Sequence, residues 1–128
     1  MDNYTEFYNL IESYKAKPFS WGESDCSLFV ADAILALRGV DYAEPFRGKY
    51  KTQKTAYKAL QKYGGIDGYL DGLFDRIPPT MAKRGDIIKV GGDVFSVGIC
   101  AGVYTWFMDT EGVKNIKTKL GVSAWRVA

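Results

Sequence analysis

Apolar and polar positions alternate along the chain with two different periods. Over residues 3–16, Tyr4, Phe7, Tyr8, Ile11 and Tyr14 recur every three or four places, with Glu6, Asn9, Glu12 and Lys15 between them. That spacing predicts an amphipathic helix. Asn3 stands at its cap position with Glu6 three residues on, and Lys17-Pro18 stops it, because the residue before a proline is pushed out of the α region. Residues 25–38 are apolar nearly all round, which predicts a helix buried against several elements, the centre of the fold, ended by a left-handed Gly39. Residues 41–50, with Pro45 and Gly48, read as an ordered loop. Thr52 then caps a third helix with an inner stripe of Thr55, Ala56, Ala59, Leu60 and Tyr63, while Lys51, Lys54, Lys58 and Lys62 form a solvated face. Gly64-Gly65 ends it. The glycine-interrupted residues 66–74 predict one or two helical turns, and Pro78-Pro79 opens a linker that ends at Arg84-Gly85-Asp86.

Beyond Asp86 the period changes to that of strands. β-Branched runs at 87–90, 94–100, 103–108, 113–116 and 124–127 are separated by glycine-bearing turns. Helices first and a meander of strands second predict an α+β domain, the N-terminal helices packed on a C-terminal antiparallel sheet or partial barrel. One core suffices for 128 residues, so residues 1–128 form a single domain.

Composition alters this picture in one respect. Aromatic residues reach 15%, with nine Tyr, seven Phe and three Trp, more than a small core holds, so part of them is expected at a contact surface. A net charge of +2 from 17 basic and 15 acidic residues gives no electrostatic reason to expect nucleic-acid binding. No stretch has the pattern of a signal peptide or a membrane span, which predicts a soluble protein made in the cytoplasm. Cysteines at 26 and 100 have neither metal-ligand spacing nor the density of a disulfide framework, so no metal or cofactor is expected. A reducing compartment disfavours a bridge between them.

The chemistry centres on Pro18-Phe19-Ser20-Trp21-Gly22-Glu23-Ser24-Asp25-Cys26, which delivers a thiol to the first turn of the central helix. Ser24 or Asp25 can cap that helix, and its N–H groups and dipole favour a thiolate. The chain contains no histidine. Asp93 lies in a glycine turn, and Asp25 reads as a cap whose negative charge opposes thiolate formation. Phe19, Trp21 and Trp125 are expected to close the loop over the sheet. In Tyr104-Thr105-Trp106-Phe107 the alternation sets Tyr104 and Trp106 on one face as a candidate interface anchor, and Cys100 reads as a core residue.

Three segments carry a resemblance: Trp21-Gly22-Glu23-Ser24-Asp25-Cys26-Ser27-Leu28-Phe29, Gly85-Asp86-Ile87-Ile88 and Ser96-Val97-Gly98-Ile99. Together they resemble the NlpC/P60 branch of the papain-like cysteine hydrolases. In that family the cysteine attacks a peptidoglycan stem-peptide bond and a histidine opening the second strand motif is its base. Cys26 matches the nucleophile, and Ser96 stands where the family has histidine. The chain is more similar still to small phage-encoded NlpC/P60-like proteins found among tail genes, which share Trp-Gly-x-x-Asp-Cys and a terminal Ala124-Trp125-Arg126-Val127.

The resemblance implies a virion component at the tail tip or baseplate hub, made in the host cytoplasm and built on a degenerate, inactive NlpC/P60 fold. Its expected partners are other tail and baseplate proteins, with Trp21, Tyr104 and Trp106 as candidate contacts. The alternative is an active cysteine peptidoglycan hydrolase that opens the wall during genome delivery, using an unrecognised base or one from a neighbouring subunit. A dedicated base contributes about 10²–10⁴-fold, which weighs against that alternative.

Overall fold

The computed structural model describes residues 3–91 and 96–127. Helices α1 (Tyr4–Lys15), α2 (Cys26–Arg38), α3 (Gln53–Gln61) and α4 (Gly65–Leu73) come first, followed by strands β1 (Asp75–Ile77), β2 (Ile87–Lys89), β3 (Val97–Cys100), β4 (Tyr104–Asp109), β5 (Gly112–Lys117) and β6 (Ser123–Arg126). The fold is α+β, with the strands in one antiparallel sheet of order β1-β6-β2-β3-β4-β5. The two outer strands, β1 and β5, do not pair with each other among the described residues, so the strands form an open antiparallel sheet.

The period of two decides what each sheet face touches. Ile87, Val97, Ile99, Met108 and Trp125 pack with Phe7, Ile11, Phe29, Val30 and Ile34 of α1 and α2, while Ile88, Cys100 and Ala124 form a separate cluster on the other face. Cys26 belongs to the first cluster and Cys100 to the second, and neither is in a disulfide. Burying α2 on nearly all sides follows from its composition: eight of its 13 residues are buried, and Gly39 ends it at φ 76° as expected.

Several local expectations are corrected. Asn3 does not cap α1; its side-chain amide donates to the Leu37 carbonyl at 3.1 Å and ties the start of α1 to the end of α2. In α3 only Ala56 and Leu60 are buried, because Thr55 is spent on a reciprocal capping box with Thr52 and Tyr63 falls beyond the helix end. The segment 66–74 is not one or two turns but belongs to the nine-residue α4. Its glycines do not shorten it: a Cβ at Gly68 would lie 2.0 Å from the Tyr63 carbonyl oxygen, so glycine permits the close approach of α3 and α4. The strand β1 occupies residues 75–77, for which no element was expected, since three residues before a proline carry too little alternation to announce one. Residues 94 and 95 of the expected strand 94–100 lie outside the described residues.

Two of the quoted motifs meet in space. Asp86, fully buried, accepts from Arg126 Nε and the Val127 N–H, both at 2.9 Å, and from the Lys83 N–H at 2.8 Å. Trp125 Nε1 donates to Asp71 of α4 at 2.9 Å, and the Arg76 guanidinium lies 5.0 Å from its ring centre. Gly-Asp and Ala-Trp-Arg-Val thus form one latch that fastens the last strand to β2 and α4.

Candidate functional site

The loop before α2 is held by its own backbone. Ser20 and Ser24 form an isolated bridge with N–H to O distances of 3.1 and 2.9 Å, and the Ser24 hydroxyl donates to the Pro18 carbonyl at 2.7 Å. Ser24 therefore does not cap the helix. Asp25 does: its Oδ1 accepts from the Leu28 N–H at 2.9 Å. Its Oδ2 accepts from the Gly22 N–H at 2.9 Å and from the Tyr50 hydroxyl at 2.7 Å, and the residue is 0% exposed. A carboxylate so engaged is a structural acceptor that joins the helix start to Gly22 and to the loop 41–50.

Tyr50 reaches Asp25 because the loop 41–50 is clamped to α2. Arg47 pairs with Asp32 of α2 at 2.6 Å and with Asp41 at 2.9 Å, and the Tyr14 hydroxyl of α1 donates to Asp32. The Arg47 hydrogen bond holds the Asp41 carboxyl below the usual carboxylate range. Gly22 meets this loop directly. Its carbonyl accepts from the Gly48 N–H at 3.0 Å, and with φ 86° a Cβ there would lie 2.0 Å from the Tyr50 carbonyl oxygen. Glycine is the one residue that fits.

Cys26 opens α2 and is only 5% exposed, its sulfur 4.0 Å from the Ser27 hydroxyl. Burial is the main cause, followed by the Asp25 carboxylate and then Cys26, that pushes the Tyr50 phenol well above its ordinary range. Tyr50 is thereby held protonated and serves as a donor, not a base. Ser96 stands where the chain re-enters the sheet at β3, its carbonyl accepting from the Val90 N–H at 2.8 Å. A serine there offers no proton acceptor of histidine's kind. Asp93 lies outside the described residues.

The aromatic candidates separate. Phe19 and Trp21 meet edge to face with ring centres 4.9 Å apart and pack against the main core. Trp125, fully buried and hydrogen-bonded to α4, belongs to that same core cluster. Trp106 is half-buried on the helix side with Lys15 of α1 4.7 Å from its ring centre, which leaves Tyr104, 48% exposed, as the open member of that pair. Sequence spacing could not have found Tyr50, Arg47 or the Asp86–Arg126 pair as supports, because each partner lies at least six, and up to 40, residues away along the chain.

Among the described residues no group of three or more His, Cys, Asp or Glu side chains could hold a metal ion, and no helix is long and apolar enough to cross a membrane. A small apolar cavity of about 50 Å³ lies between α2, α3, α4 and the loop 41–50, lined by Ala31, Ala43, Phe46 and Tyr69 among others. It is partly open to solvent, and Ser27 and Tyr50 are among its otherwise largely apolar lining. No curated protein matches the chain. Residues 2–127 match the family described as a domain of unknown function, DUF6950, and the chain belongs to that family.

Proposed function

We propose that this protein is a non-catalytic structural component of a phage tail tip or baseplate hub, built on a degenerate NlpC/P60-type fold. The observation that carries the reading is the state of the helix start. The Asp-Cys pair is kept, but its carboxylate accepts from three donors, its thiol is nearly covered, and the chain has no histidine. A base from a neighbouring subunit would have to come within about 2.6–3.2 Å of that covered sulfur.

An assembly role is also supported by exposed apolar side chains around the turn Thr118–Leu120. Val103, Leu120 and Met81 are 72%, 64% and 61% exposed. Val103 is held beside the turn Thr118–Leu120 by the Thr118 N–H to Val103 carbonyl bond at 2.8 Å. Apolar groups gathered at a surface mark contact sites.

The test is incubation of the purified protein with peptidoglycan and with isolated stem peptides. No cleavage is expected, and the protein should be found in purified tail particles. Cleavage that disappears in Cys26→Ala would overturn the reading. Thiol alkylation followed against pH gives an independent check: slow labelling of the native protein is expected, and fast labelling at neutral pH would favour a working nucleophile.

A further inference from the structure

We propose that the lysine face of α3 is a docking surface for an acidic protein segment. Charge is segregated along this chain. Residues 45–66 hold six of the 17 basic residues and none of the 15 acidic ones, so the remainder sets eleven cations against 15 carboxylates. Arg47 is neutralised by Asp32 and Asp41. Lys51, Lys54, Lys58 and Lys62 are exposed, and none of them is in an ion pair among the described residues. At 100° per residue Lys54, Lys58 and the C-cap Lys62 fall within an arc of about 80° and span roughly 12 Å of helix axis, while Lys51 precedes the extended N-cap Thr52.

Stability alone does not favour this arrangement. Lysines four apart repel, whereas a face selected for solubility alternates acids and bases and gains from each pair. Lys51 and Lys54 also flank the start of α3, whose first turn has no acidic residue, so they oppose the helix dipole. Lys62 lies 5.1 Å from the Tyr63 ring centre, but Lys51, Lys54 and Lys58 break the local rule with no ion pair among the described residues to offset it, which points to a contact outside the fold.

The surroundings narrow the partner. Beside the stripe, Tyr57 and Gln61 of α3 border a surface depression of about 330 Å³ whose other side is Gly64, Gly65, Ile66 and the ion pair of Asp67 with Lys89. Lys89 is already paired with Asp67 at 2.7 Å, so attraction comes from the stripe and the depression supplies room for a side chain. The cationic face is short, convex and lies on a body with excess carboxylates. A long nucleic acid or a flat anionic membrane would overrun the stripe and meet like charge, while a short acidic segment matches its length. The inference rests on charge placement and is independent of whether Cys26 cleaves anything.

The experiment measures binding of the intact protein to fluorescent poly-L-glutamate at low and at physiological salt, with duplex DNA and phosphatidylglycerol vesicles as competing probes. Binding to poly-L-glutamate that weakens with salt is expected, with a loss of about tenfold or more in Lys54→Glu/Lys58→Glu. Lys117→Glu/Lys119→Glu, an equal charge change elsewhere, should bind as the native protein does. Lys51→Glu should melt about 1–3 °C higher than the native protein, since it relieves the dipole conflict, while binding more weakly. Equal losses in the two double variants would overturn the proposal, as would tighter binding to DNA or to the vesicles.

Discussion

Replacing Asp25 by alanine removes the acceptor on which the helix start is built. Loss of an N-cap costs about 1 kcal/mol. The Gly22 N–H and the Tyr50 hydroxyl, both bonded to Asp25 Oδ2, would then stand in a buried site without their acceptor, at about 1–3 kcal/mol each. With partial entry of water the total is about 3–5 kcal/mol, a large share of the roughly 5–15 kcal/mol by which such domains are stable. At this size that corresponds to a fall in melting temperature of about 10–20 °C. Asp25→Asn keeps an acceptor for the Leu28 N–H, and the tyrosine hydroxyl can turn to accept from the new amide, so the loss falls to about 1–3 kcal/mol. Tyr50→Phe should cost about 1–2 kcal/mol in the native background and close to nothing beside Asp25→Ala, where its hydroxyl is already stranded. Urea unfolding followed by tryptophan fluorescence measures all four proteins. An Asp25→Ala protein within about 1 kcal/mol of the native one, or additive effects in the double variant, would refute the reasoning.

Gly22→Ala should be among the most damaging single changes, because its Cβ would overlap the Tyr50 carbonyl at a positive φ; a loss of soluble protein or of several degrees of melting temperature is expected. Arg126→Met leaves buried Asp86 without its cation and should cost about 2–3 kcal/mol, on the low side of a broken buried pair because Arg126 is itself partly exposed. Measured by denaturant midpoint, an unchanged value would show that the Lys83 and Val127 N–H groups suffice. Burial first, and then the carboxylates of Asp32 and Asp25 respectively, push the Tyr14 and Tyr50 phenols above their ordinary range. Their contribution to stability is complete below the unfolded value of about 10 and is lost as pH rises beyond it. Ultraviolet titration should therefore show two tyrosines that ionise only on alkaline unfolding.

How much of this was legible in the sequence depends on how far apart the interacting residues are. The period of 3–4 residues in 3–16, the apolar run after Asp25 and the alternation after Asp86 each report which face of an element is buried, and the helices and strands follow from them. Thr52, Asp25 and Gly39 act within four residues of themselves, so their capping roles could be read directly. The absence of histidine is likewise a property of composition, legible whatever the fold. Asn3 carries the same kind of local signal, yet its amide is taken by Leu37, 34 residues on, because the end of α2 is packed against it.

Only the tertiary structure could decide what a side chain meets across the chain. It gave Asp25 a second role through Tyr50, made the Gly-Asp and Trp-Arg motifs one latch, turned Trp106 inward under Lys15 and covered the Cys26 thiol. Each of these depends on loop closure and helix packing, which fix partners six to 91 residues apart and leave no periodic trace in the sequence.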